Sequence, residues 1–124
     1  MPARRCIAMA AACFGLACGG DEADATYVRL HNVTEFNFDS LSFFTVSDPF
    51  GPLPAGAFSG FVRTEGVYPL EGGYAEGDGH RFFGMVTDHV GDEFVGNGYH
   101  TYAVLAGLGH AVGENDGTVF FQQE

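Results

Sequence analysis

From residue 26 onward, apolar and polar positions alternate along most of the chain, and the alternation never relaxes into a helical period. A period of two sends successive side chains to opposite faces of a strand, whereas an amphipathic helix repeats every 3.6 residues. Glycine also interrupts each apolar stretch too often for a helix of three turns. Residues 26–33 predict a first strand, with Val28 and Leu30 turned to the core and Tyr27, Arg29 and His31 turned outward. Residues 41–46 predict a second strand, broken by Asp48-Pro49-Phe50-Gly51-Pro52. Residues 57–64 form a third. Residues 67–70 read as a short or irregular edge, because Pro69 cannot donate to a ladder.

Further along, Glu76-Gly77-Asp78-Gly79 is a turn and residues 80–88 a strong strand. Residues 91–98 form a loop, residues 99–105 a strand, residues 113–117 a turn and residues 118–122 a last short strand. About seven strands with regular turns predict an all-β fold, an antiparallel β-sandwich of the prealbumin-like or immunoglobulin-like kind. A small β-barrel is the second architecture. Phe38, Phe43, Phe58, Phe82, Val86, Tyr102 and Val104 are the expected core.

Composition adds charge to this picture. Sixteen acidic residues face five basic ones, all arginine, for a net charge of −11. Arg4 and Arg5 lie in the first residues, so only Arg29, Arg63 and Arg81 offset the acids of the strand-rich region. Such a domain repels nucleic acid and anionic lipid head groups.

The N-terminal residues follow a different grammar. Met1-Pro2-Ala3-Arg4-Arg5 is a short positive segment, and residues 6–17 are unbroken apolar and small residues. That run is too short to span a bilayer, which takes about 20 residues, and suits the apolar part of a secretory signal. Gly15-Leu16-Ala17-Cys18 resembles the lipobox of bacterial lipoproteins, with Gly15 where that family prefers leucine. The resemblance implies that Cys18 becomes the lipid-modified first residue of an exported protein. The expected organisation is a signal peptide over 1–17, a lipidated Cys18 with a flexible tether over 18–25, and one domain over 26–124. Cys6, Cys13 and Cys18 are the only cysteines, so the domain has no disulfide and no thiol-based metal or redox motif.

Three further pieces carry a second resemblance. They are Val28-Arg29-Leu30-His31-Asn32-Val33-Thr34 followed by Phe36-Asn37-Phe38-Asp39, Phe50-Gly51-Pro52-Leu53-Pro54-Ala55-Gly56, and Gly98-Tyr99-His100-Thr101-Tyr102. Together they resemble small bacterial lipoproteins with a prealbumin-like or immunoglobulin-like sandwich, most of them of uncharacterised function. The resemblance implies fold and location, and no catalytic residue.

Candidate chemistry is sparse. His31, His80, His89, His100 and His110 lack helical ligand spacing, although neutral imidazoles bind transition metals when they converge. Asp88, His89, Asp92 and Glu93 form the densest mixed cluster and the candidate site for a divalent cation, without the alternating spacing of a calcium loop. Ser40, Ser42, Ser47 and Ser59 sit in no nucleophile elbow. Asn32-Val33-Thr34 fits a glycosylation pattern and reads as a strand end. An exposed row among Tyr27, Tyr68, Tyr74, Phe50 and Phe61 would stack on sugars or grip a protein, but the favoured reading is that most of them close the two ends of the core.

The reading favoured by these features is a noncatalytic lipoprotein of the cell envelope, held to the membrane through Cys18, with the outer membrane or cell surface as its place. It takes no cofactor, no nucleic acid, and an envelope or extracellular protein as partner. A carbohydrate- or calcium-binding module is the alternative, and a small hydrolase the third reading.

Overall fold

The computed structural model describes residues 25–46, 49–86 and 92–124, and the described part is all-β, with seven strands and no helix. The strands are β1 (Thr26–Asn32), β2 (Phe38–Phe43), β3 (Val62–Thr64), β4 (Leu70–Gly77), β5 (His80–Gly84), β6 (Gly98–Val112) and β7 (Asn115–Gln123). They form one mixed sheet in the order β2-β4-β5-β7-β6-β1-β3. This corrects the antiparallel expectation. β1 runs parallel to β6 over its whole length, from Thr26 opposite Gly98 to Asn32 opposite Val104.

Burial follows the period of two that the sequence carries. In β1 the residues Thr26, Val28, Leu30 and Asn32 are buried, and Tyr27, Arg29 and His31 face outward. The two-residue turn Asp78-Gly79 joins β4 to β5, with both residues at positive φ (51° and 79°), the geometry of a tight hairpin. β4 changes partner midway. Its first residues pair with β7, and Gly73 to Gly77 pair with β5 and β2. Backbones approach closely at this crossing. A Cβ at Gly84 would collide with the Val119 carbonyl, and one at Gly73 with the Ser42 carbonyl. Only residues without a side chain let the sheet coil this tightly.

The sheet curls into a half-barrel, and one segment reaches across its two edges. On the β2 side Phe50 and Leu53 exchange backbone hydrogen bonds with Leu41 and Phe38. On the β1 side the Asn32 amide donates to the Ala57 carbonyl (2.9 Å), the Gly56 amide to the Asn32 carbonyl (2.7 Å) and the Ser59 amide to the Leu30 carbonyl (2.8 Å). β3 then pairs with the start of β1.

The core lies inside this curl. Phe38, Phe43, Phe82, Tyr102, Val104, Val119 and Phe121 are buried there with Leu41, Phe50 and Leu53. Phe82 packs edge-on against Phe36 and Phe38, and Phe43 packs edge-on against Tyr102 and tilted against Phe121. Each fully buried phenylalanine contributes about 1.5–3 kcal/mol. Two core expectations need correction. Phe58 is 49% exposed, because it belongs to the crossing segment and stacks outside the curl, and Val86 is only half-buried beyond the end of β5. Phe50 is buried and pairs with Leu41.

Candidate functional site

The outer face of β1 and its neighbours carries a ladder of rings and cations. Alternation turns Tyr27, Arg29 and His31 outward from β1, and the parallel register sets Tyr99 beside Tyr27 and Thr101 beside Arg29 on β6. The crossing segment supplies Phe58 and Phe61 from the other side, and β3 places Arg63 opposite Tyr27. The Tyr27 and Tyr99 rings stack at 4.9 Å, and Phe61 meets Tyr99 edge-on at 4.9 Å. The Arg29 guanidinium lies 4.4 Å from the Phe58 ring centre and 5.1 Å from that of Phe61. Its Nε donates to the Thr101 hydroxyl (2.9 Å), which fixes the plane of the fork. His31 stacks on Phe58 at 4.0 Å, and its Nδ1 lies 2.8 Å from a Glu124 carboxylate oxygen. Phe58, Phe61 and Tyr99 are exposed, so the ladder faces solvent. Contacts of a cation with a ring contribute about 0.5–1 kcal/mol each at such exposed sites.

Charge is distributed unevenly around the molecule. Arg81 is paired with Glu114 (3.1 Å) and Glu76 (3.8 Å) on the far hairpins. Nearby, the His80 imidazole and the Arg81 amide hydrogen-bond to the Asp116 carboxylate, and these bonds, His80 first, hold Asp116 below the usual carboxylate range. Arg29 and Arg63 form no salt bridge with any carboxylate among the described residues. Beside Arg63 a notch of about 210 Å³ is lined by Thr45, Val46, Thr64 and Glu65 as well.

Most sequence-predicted candidates do not meet. Cys18, Asp88 and His89 lie outside the described residues, and Asp92 and Glu93 sit exposed on the stretch before β6. No group of three or more His, Cys, Asp or Glu able to hold a metal ion occurs among the described residues. His31, His80 and His100 scatter. His31 reaches Glu124, His80 reaches Asp116, and His100 lies against the Gly96 carbonyl and Gln123. β7 separates the strands of His80 and His100 in the sheet. The Ser59 hydroxyl accepts from the Leu30 amide and donates to the Gly60 carbonyl, so it serves the backbone.

Asn32 is fully buried and receives two hydrogen bonds from Thr34, which makes Asn32-Val33-Thr34 a side-chain-stabilised turn. Phe58 and Tyr99 are the ladder residues that sequence reasoning missed. The outward set of β1 was the signal present, and the partner strand that completes it lies far along the chain.

No family model matches this chain, and no curated protein matches it. Among solved structures it is similar to an NMR structure of a protein from Eubacterium rectale, with a TM-score of 0.52, 17% identity, and coverage of 87% of this chain and 96% of that one. At that identity the likeness concerns the fold alone.

Proposed function

We propose that the chain is an exported, noncatalytic binding module, anchored to the cell envelope through a lipid on Cys18, and that the ladder on β1, β3 and β6 is the face that meets its partner. The observation that carries the binding reading is the row of exposed rings, Phe58, Phe61 and Tyr99, interleaved with Arg29 and His31. Rings and arginine are the side chains that supply most contact energy at recognition surfaces. The anchoring reading rests on the charged, apolar and small-residue order of residues 1–17 and the cysteine after it. The segment that crosses from β2 to β1 supports the barrel, the second architecture, over a two-layer sandwich.

Metabolic labelling with a radiolabelled fatty acid tests the anchor. The wild-type chain takes up label and fractionates with membranes, and Cys18→Ser does neither. A photo-crosslinking residue at position 99 tests the face. It yields a discrete adduct in intact cells, and the same residue at position 74 on another outer surface does not. Label-free wild type refutes the anchor, and equal adducts from both positions refute the face.

The exposed row also favours a second reading, the carbohydrate-binding module, over the calcium module. Sugar rings stack on aromatic side chains, and the exposed Asp92 and Glu93 join no multidentate group among the described residues.

A further inference from the structure

We infer that Arg29 and Arg63 form a two-point anchor for the acidic groups of a carbohydrate chain lying along the ladder. This rests on the binding face proposed above and names its ligand class. The first ground is placement. Arg63 pairs with Tyr27, and Arg29 follows two residues later on β1, so the two arginines are diagonal neighbours on one face. Diagonal positions lie about 7–8 Å apart, a spacing that lets two forks grip one acidic group or two on successive sugar units. The second ground is preorganisation. Arg29 is held by contact with the Phe58 and Phe61 rings and by the hydrogen bond of its Nε to the Thr101 hydroxyl, which leaves its terminal nitrogens for a ligand. A planar fork held in advance loses little freedom on gripping a carboxylate or sulfate.

The third ground is charge contrast. The chain carries −11, its third downstream arginine is occupied by Glu76 and Glu114, and this face alone holds two arginines without a carboxylate partner among the described residues. Glu124 on this face is engaged by His31, and Glu65 lines the notch beside Arg63. An anionic bilayer would present its charge to the whole acidic surface and be repelled. A single saccharide strand meets only the ladder, with Tyr27, Tyr99 and Phe61 beside it for ring contacts.

Titration calorimetry of the purified protein tests this with two probes, a defined oligogalacturonate and a chondroitin sulfate oligosaccharide. The comparators are the methyl-esterified oligogalacturonate, poly-glutamate and phosphatidylglycerol vesicles. Binding of at least one acidic saccharide is expected. Arg29→Gln and Arg63→Gln each weaken it about tenfold or more, as loss of a hydrogen-bonded charge does, and Arg81→Gln leaves it unchanged. Methyl esterification, which removes charge and keeps the ring, weakens oligogalacturonate as much as the arginine variants do. Thermal melts of each variant confirm the fold.

Three results overturn the inference: no binding of either acidic saccharide, indifference to Arg29→Gln and Arg63→Gln, or equal binding of poly-glutamate or vesicles. If the saccharides fail while the position-99 crosslink persists, the face stands and its ligand class does not. If both fail, the binding face itself is wrong.

Discussion

Replacing Asn32 by alanine should cost this fold about 3 kcal/mol. Asn32 is buried at the end of β1, where three pieces of chain converge. Its Nδ2 donates to the carbonyls of Phe36 (2.8 Å) and Leu53 (3.0 Å), and its Oδ1 accepts from the Thr34 amide (3.0 Å) and hydroxyl (2.6 Å). Each net hydrogen bond contributes about 1 kcal/mol, and a buried group left without a partner costs about 1–3 kcal/mol. Alanine forfeits four bonds and strands the Leu53 carbonyl, whose bond to Asn32 is the buried one; water reaches the other three partly buried sites and recovers part of the loss.

The midpoint of thermal unfolding should therefore fall by about 10–25 °C, on the usual scaling for a domain of this size. Asn32→Asp keeps the acceptor but points a carboxylate at two carbonyl oxygens, and should cost at least as much as alanine. Thr34→Val removes the hydroxyl that donates to Asn32 and accepts from the Phe36 amide, and should cost about 1–2 kcal/mol. Urea unfolding of the three variants measures all of this. Asn32→Ala within 1 kcal/mol of wild type at an unchanged denaturant slope would refute the idea that this side chain ties the crossing segment to β1.

Two further outcomes follow from the core. Gly84→Ala places a methyl against the Val119 carbonyl and should destabilise by about 1–3 kcal/mol or more, while Gly51→Ala, which meets nothing within 4 Å, should be near neutral; paired thermal melts decide, and equal effects would refute the close crossing. Burial, and then the nearby charge of Glu71, push the Tyr102 hydroxyl well above its ordinary value. Its contribution is therefore complete below about pH 10, where an unfolded tyrosine starts to ionise, and is lost as pH rises toward the raised folded value. Phenolate absorbance should show one tyrosine that stays protonated until the chain unfolds, absent in Tyr102→Phe; simultaneous ionisation of every tyrosine would sink this account.

The faces of β1 were legible in the sequence because the period of two is strict there, and the inward residues Val28 and Leu30 are both buried. The turn at Asp78-Gly79 was legible through its Asp-Gly pair, although Glu76 and Gly77, read as part of the turn, end β4. β4 was not. The sequence predicts an edge over residues 67–70 and no strand over 71–75, where Gly72 and Gly73 serve a close backbone crossing that local sequence does not display. β2 begins earlier than expected, at Phe38, because its outer edge is covered by Phe50 and Leu53. Phe58 read as core since a phenylalanine between small residues in an apolar stretch is commonly buried; its exposure follows from the segment crossing outside the curl. The ladder was half legible. Tyr27, Arg29 and His31 were placed outward, but Tyr99 joins them only through a parallel pairing that no local rule announces.

That parallel pairing also governs the order in which the molecule can assemble. Arg29 and Thr101, side by side in the sheet, are 72 residues apart in the chain. Contacts of such separation form late, because the loop between them must close before they return any free energy. β1 emerges first from any N-to-C passage, yet it has no parallel neighbour until β6 has followed it almost to the end. Until then β3 and the crossing segment are its sheet partners, and its whole-length pairing waits for residues 98–104.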